Sequence, residues 1–274
     1  MSFTLIHTND LHNRLTQAQA DRLRLLRVSL DGEALLLDAG DAVGAGNVTF
    51  HPAGEPILDR MSQCGYDAMV VGNREFHVSR YGFQCKLSRA RFPVLCANLL
   101  PRGGVAEFQR GDSDLRDVDP EESERAPSGV PVTPYLFLQT PKGWKIVIIG
   151  LTVPMVTERM AARWVSAYLF RDPVHTARQL VPELRARYSP HCVIALTHLG
   201  LRRDQLLAEA VPGIDVIIGG HSHDVLERGV YAGDTLICQT GSHGRFYGRV
   251  MLDLDGDRVR GRASLERLDP GGQT

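Results

Sequence analysis

Short runs of Leu, Ile, Val and Ala recur along the chain, and several of them stop abruptly on Asp, Asn, His or Gly. That pattern constrains the fold more than any other feature. Runs too short for helices and apolar throughout read as buried strands of a packed sheet. Residues 3–8, 34–38, 68–71, 94–97, 135–139, 145–151, 192–197, 216–218, 235–239 and 246–254 read as such strands. Residues 16–30, 55–64, 173–188 and 202–210 repeat apolar positions at three- and four-residue spacing and read as helices. Their alternation predicts an α/β protein.

The expected organisation is one domain over residues 1–267, interrupted by a polar insertion at 101–134 and ending in a frayed tail at 268–274. The insertion is rich in Gly, Pro, Ser and charge and has too few apolar residues to bury a core of its own, so it is expected to be flexible. A composition of 43% hydrophobic and 23% charged residues excludes disorder for the chain as a whole. A formal net charge of -1 leaves no excess of positive charge for holding nucleic acid nonspecifically. The longest apolar stretch, 146–156, is broken by Gly150, Thr152 and Pro154 and is about half of the roughly 20 residues a membrane helix needs. With no basic leader at the N-terminus, the expected location is the cytoplasm. Five widely spaced cysteines with no Cys-x-x-Cys pair read as free buried thiols.

The strand ends carry the chemistry. Residues 3–8 run out into Asn9-Asp10-Leu11-His12, where Asp10 and His12, two apart, are expected on one side of an extended chain and can share a metal ion. Asp41 falls in a Gly-flanked turn after residues 34–38. Residues 68–71 lead into Gly72-Asn73-Arg74-Glu75, residues 192–197 into His198, and residues 216–218 into Gly219-Gly220-His221-Ser222-His223. Each piece alone has an ordinary explanation: a helix cap at Asp10, a turn at Asp41, a core histidine at His198, a solvated loop at His221 and His223. Together, just past strands where α/β sheets bind ligands, they mark a site.

With these blocks in order, the sequence resembles the calcineurin-like metallophosphoesterases, and within them the catalytic domain of the bacterial 5'-nucleotidases. Leu-Ile-His-Thr-Asn-Asp-Leu-His and Ile-Ile-Gly-Gly-His-Ser-His are the most similar phrases, and the likeness runs from Phe3 to about Arg249. The resemblance implies a four-layer α/β/β/α sandwich and two divalent metal ions, Mn first, with Zn, Fe or Mg as alternatives. It implies that Asp10, His12 and His223 hold one ion, that Asn73, His198 and His221 hold the other, and that Asp41 bridges them. This mixed nitrogen and oxygen donor set suits several first-row metals without selecting sharply among them. Two ions about 4 Å apart bring a bridging water from a pKa of about 15.7 to near 7, which makes hydroxide available for attack on phosphorus. The implied substrate is a small phosphoester or nucleotide: a nucleotide-like monoester, a cyclic diester or a phosphodiester. Neither nucleic acid nor membrane is implied as a partner, and the oligomeric state is left open.

Two departures from the family pattern matter. Where the family has Gly-Asn-His-Glu followed two residues later by Asp, this chain has Arg74 in place of the His and His77 in place of the Asp, so the His–Asp dyad near the leaving group is missing. Arg74 cannot act as an acid near neutral pH, but its donors can hold phosphate oxygens. His77 is a candidate proton donor, set against the plainer reading of an exposed histidine at a helix start. The sequence also ends after the catalytic domain, so nucleoside specificity does not carry over. Two competing readings remain. One is a serine hydrolase built on Gly220-His221-Ser222-His223-Asp224, whose fifth position breaks the nucleophile-elbow pattern. The other is a metal-binding regulatory protein with little turnover.

Overall fold

The β-rich runs do form strands. A computed structural model describes residues 2–30, 33–46, 48–102, 131–255 and 258–268. In chain order its elements begin with β1 (Ser2–Thr8), α1 (Gln17–Val28), β2 (Ala34–Asp38), α2 (Pro56–Cys64), β3 (Ala68–Val70), α3 (Arg80–Leu87), β4 (Val94–Leu95) and β5 (Leu99–Pro101). They continue with β6 (Tyr135–Gln139), β7 (Lys145–Thr152), β8 (Tyr168–Phe170), α4 (Pro173–Tyr188), β9 (Cys192–His198), α5 (Leu201–Ala210) and β10 (Val216–Ile218). The last strands are β11 (Val230–Ala232), β12 (Thr235–Cys238), β13 (Phe246–Asp255) and β14 (Arg258–Arg267).

Two six-stranded sheets result, one in the order β14-β13-β1-β2-β3-β4 and the other β11-β12-β10-β9-β7-β6. In the first, β1 to β4 run parallel, as do β7, β9, β10 and β12 in the second. Because side chains alternate along a strand, each strand supplies two cores. Leu5, Leu35, Leu37 and Val70 meet Ile146, Ile148, Ile194 and Ile218 between the sheets. On the outer face of the first sheet, Ile6, Leu36 and Met69 pack on Leu23 of α1, Leu58 and Met61 of α2 and Phe83 of α3. On that of the second, Val147, Ile149 and Val193 pack on Val181 and Leu184 of α4 and Leu207 of α5. The architecture is therefore the α/β/β/α sandwich that the resemblance implies. Burying a Leu or Ile side chain contributes roughly 1.5–3 kcal/mol, so these three cores hold the sheet edges rigidly in register.

Several expectations need correction. The strand expected at 94–97 ends at Leu95, because Cys96 and Ala97 turn away to bond Thr133 and Gly150. At Gly150 a Cβ would lie 2.4 Å from that of Leu95, so only glycine lets the two sheets approach there. Residues 103–130 of the polar insertion lie outside the described residues, but its ends belong to the framework: Pro101 is in β5, and Thr133 bridges Leu95. Leu268, expected at the head of a tail, is fully buried and donates its N–H to Arg245, while residues 269–274 lie outside the described residues. Four strands and a helix escaped the sequence reading: β5 with its partner β8, β11 at the edge of the second sheet, the arginine-rich edge strand β14, and α3, whose polar sequence is capped by the Ser79 side chain.

Candidate metal centre

The C-terminal ends of β1, β2, β3, β9 and β10 meet at one edge of the sandwich, and the backbone there leaves the extended region. Asp10, His12, Asp41, His221 and His223 all have φ between 47° and 80°. Left-handed backbone at a non-glycine residue costs on the order of 1 kcal/mol or more, and it persists only where neighbours fix it. Asp10 and His12 therefore converge through a turn, not through the two-residue period of a strand. The turn is tied down by Asp10 N–H to Gly40 O (2.9 Å) and His12 N–H to Asp41 O (3.0 Å). Glu75, fully buried, accepts the amides of Asp41, Gly72 and Val43 at 2.8 to 3.0 Å and so splices the β2 turn to the β3 turn.

Two groupings form. Asp10 Oδ1 lies 3.1 Å from His223 Nε2 and 3.8 Å from His12 Nε2, and those two imidazole nitrogens are 3.3 Å apart. Asn73 Oδ1 lies 3.0 Å from His221 Nδ1 and 3.2 Å from His198 Nε2, which is itself 3.5 Å from Asp41 Oδ1. All seven candidate ligands are thus brought together. Asp10 is close to both groupings, yet its Oδ2 is already taken by Asn9 Nδ2 (2.8 Å) and His221 N–H (2.9 Å), so only Oδ1 remains, facing the first. Asp41 lies 3.5 Å from His198 through Oδ1, and its charge acts on His12 as well.

The donor set asks for cations. Asp10 Oδ1 is buried and makes no hydrogen bond among the described residues, which costs a carboxylate about 1–3 kcal/mol or more. His198 Nδ1 lies 2.8 Å from Ala39 O; a carbonyl only accepts, so Nδ1 carries hydrogen and Nε2 is the nitrogen turned to Asp41. Burial opposes a charge on His198, but the hydrogen bond and charge of Asp41 outweigh it and raise the pKa to about 9. Burial likewise opposes the charge on Asp41, and His198 outweighs it and holds Asp41 below the usual carboxylate range. Burial lowers His12 and His221, which keeps their ring nitrogens available as neutral ligands. His198 Nε2 and Asp41 Oδ1 thus face each other at 3.5 Å, a donor pair that a proton or a metal ion suits.

Arg74 is at the site. Its backbone N–H donates to Asp41 Oδ1 (2.8 Å), its Nε is 3.6 Å from Asp41 Oδ2, and its Nη1 donates to Gly44 O (3.0 Å). His77 is not exposed as the plainer sequence reading expected. It is buried, its Nδ1 accepts the Ser79 N–H (3.0 Å), and its ring packs edge-on against Phe50 and over Gly82. No contact joins His77 to the ligand cluster among the described residues. Ser222 bonds Asp224, Gln239 and the Leu201 N–H rather than an imidazole, so among the described residues it has no histidine base and the serine-hydrolase reading fails. Sequence reasoning passed over His243, whose ring centroid is 5.0 Å from that of His12 and whose N–H donates to Asp10 O. The signal was present: Gly241-Ser242-His243-Gly244 follows β12 closely and puts a glycine-flanked histidine past a strand, like the other blocks.

The sequence profile of the calcineurin-like phosphoesterases matches residues 3–225. The chain belongs to that family. This calcineurin-like phosphoesterase is similar to the trifunctional nucleotide phosphoesterase protein YfkN of Bacillus subtilis, with 30% identity over 277 residues covering 92% of this chain and 18% of that one. It is similar to the 5'-nucleotidase of Vibrio cholerae serotype O1, with 30% identity over 247 residues covering 81% of this chain and 40% of that one. It spans less than half the length of either relative. Its fold is that of the 5'-nucleotidase precursor from Thermus thermophilus, with a TM-score of 0.70 at 24% identity over 97% of this chain and 55% of that one. The crystal structure of YfkN from Bacillus subtilis aligns with a TM-score of 0.68 at 20% identity over 97% of this chain and 91% of that one. Among the described residues, no helix is long and apolar enough to cross a membrane.

Proposed function

We propose that this chain is a hydrolase of small phosphoesters that works with two divalent ions, and that it prefers nucleotide-like diesters, cyclic diesters and esters of acidic leaving groups. The observation that carries the reading is the desolvated donor set, with Asp10 Oδ1 buried and without a hydrogen bond among the described residues and His198 Nε2 turned to Asp41 Oδ1 at 3.5 Å. Its family and its nucleotide-phosphoesterase and 5'-nucleotidase relatives support it. Asp10, His12 and His223 would hold one ion, Asn73, His198 and His221 the other, and Asp41 would contribute to both. Manganese is the ion we assign first, and the mixed imidazole, carboxylate and amide-oxygen set accepts it without selecting it over Zn, Fe or Mg. When bound, such a pair activates water for in-line attack and neutralises charge on the phosphoryl oxygens.

The chain's own residues then set the preference. Arg74, fixed beside Asp41 and half-exposed, offers guanidinium donors to non-bridging phosphate oxygens as charge develops there. It stays charged near neutral pH and donates no proton to the leaving group. His77 is turned away toward Phe50 and Ser79, so its part is to pack the Arg74 loop. Groups that depart without a proton are therefore favoured over the ribose alkoxide of a plain nucleoside monophosphate. The five buried free cysteines suit a reducing compartment, and the cytoplasm is the location we assign.

The test is a panel of AMP, cyclic nucleotides, dinucleotides and 4-nitrophenyl esters assayed with added Mn²⁺, Zn²⁺ or Mg²⁺. Higher kcat/KM for the activated esters or diesters than for AMP is expected. A kcat/KM for AMP above every other member would overturn the substrate preference. Ion binding without turnover of any member would replace the enzyme with the regulatory reading.

A further inference from the structure

We infer that Lys86 is a positioning residue, whose buried ammonium clamps together the two loops between which the Arg74 guanidinium is held. Lys86 lies on α3 and is fully buried. Its Nζ donates to Gly46 O at 2.7 Å, to Arg74 O at 2.6 Å and to Phe76 O at 3.1 Å. An ammonium has three protons, and all three are spent on backbone carbonyls. Two of those carbonyls belong to the loop that carries Arg74. The third lies two residues beyond Gly44, whose carbonyl accepts Arg74 Nη1. One charge therefore fixes both the base of the Arg74 side chain and the loop on which its far end rests.

A desolvated ammonium is expensive, and an apolar side chain of the same length would fill the space more cheaply. The surroundings compensate it at a distance. Glu55 is fully buried with neither carboxylate oxygen hydrogen-bonded among the described residues, and its charge acts on Lys86. Glu75, already bonded to the amides beside Asp41, acts on it as well. The arrangement trades stability for loop geometry, which is what an arginine with four free torsions needs if it is to meet a phosphate without reorganising.

This inference rests on the reading of Arg74 as the residue that holds the phosphate, and a double-mutant cycle separates the two. The wild-type chain, Arg74→Ala, Lys86→Met and the double variant are loaded with Mn²⁺, their metal content is measured, and kcat and KM are determined with bis(4-nitrophenyl) phosphate. Binding of inorganic phosphate by calorimetry gives a readout that needs no turnover. Arg74→Ala is expected to lower kcat/KM by about 10²-fold, the usual consequence of removing one donor to a developing oxyanion. Lys86→Met is expected to weaken kcat/KM and phosphate binding by about tenfold or more with unchanged metal content, since small misplacements of a binding group are felt strongly. The double variant should match Arg74→Ala within about twofold, because residues acting through one another are not additive.

If the two effects multiply, or Lys86→Met keeps wild-type kinetics and phosphate binding while Arg74→Ala does not, Lys86 does not act through Arg74 and the inference is overturned alone. If Arg74→Ala itself is unimpaired, the role given to Arg74 falls and this inference with it. Should Lys86→Met not fold, Lys86→Gln, which keeps two donors, takes its place in the same cycle with the same non-multiplying outcome expected.

Discussion

The pairing of His198 with Asp41 makes the stability of the metal-free protein depend on pH in a way that one substitution should abolish. His198 is fully buried, and its pKa rises from an ordinary 6.5 to about 9. A difference of this size corresponds to about 3 kcal/mol at about 1.36 kcal/mol per unit, counted once for the pair, since the same contact holds Asp41 down. Below pH 6.5 the imidazole is protonated both folded and unfolded, and the contribution is fully present. As the pH rises toward about 9 the unfolded chain has released the proton that the folded chain still binds, and the contribution is lost. Urea unfolding of chelator-treated protein, repeated from below that window to its upper end, should show the loss in the wild type and not in Asp41→Asn. Asp204, which burial pushes up to about 7, titrates within the window in both proteins, so the difference between their slopes is the quantity that reports the pairing. Equal pH slopes in the two proteins would refute the pairing. The same proton must leave when an ion is bound through His198 Nε2, so calorimetric titration with Mn²⁺ near neutral pH, in buffers of different ionisation enthalpy, should report proton release.

Elemental analysis after reconstitution with Mn²⁺ should find two ions per chain in the wild type and a loss at both positions in Asp41→Asn, because the proposed assignment gives that carboxylate to both ions; a single ion in the wild type would contradict the dinuclear assignment. Gly72→Ala should be destabilised by about 1–3 kcal/mol, the usual cost of forcing a methyl into packed surroundings. Its Cβ would lie 2.3 Å from both Asp41 N and Asp41 Oδ1. Loss of metal content should accompany the loss of thermal stability, and a variant that melts and binds Mn²⁺ like wild type would show that the loop yields without harm.

Much of this molecule was legible in the order of its residues. β2, β6, β10 and α4 fall where the apolar periods end, because a strand covered on both faces and an amphipathic helix write their periods into the local sequence. The ligand blocks were legible for a related reason. Sheets place strand ends at their edges, so Asp, Asn and His immediately after a strand have little else to do than meet one another. His243 followed the same rule and went unnoticed only because its block is not among those the resemblance named.

What the sequence alone determined is therefore the α/β class, most of the strands and the inventory of donors at their ends. The tertiary structure decided everything that depends on residues far apart in the chain. β14 looks like a charged coil until β13 supplies a ten-residue antiparallel ladder, and β5 exists only through its pairing with β8. The left-handed backbone at Asp10, His12 and Asp41 cannot be read from neighbours in sequence, since hydrogen bonds between the β1 and β2 turns and from Glu75 enforce it. His77 and Arg74, three residues apart, face different surroundings for the same reason. Nothing local marks Lys86 among the basic residues, because the three carbonyls that it binds come together only when the β2 and β3 turns fold over α3.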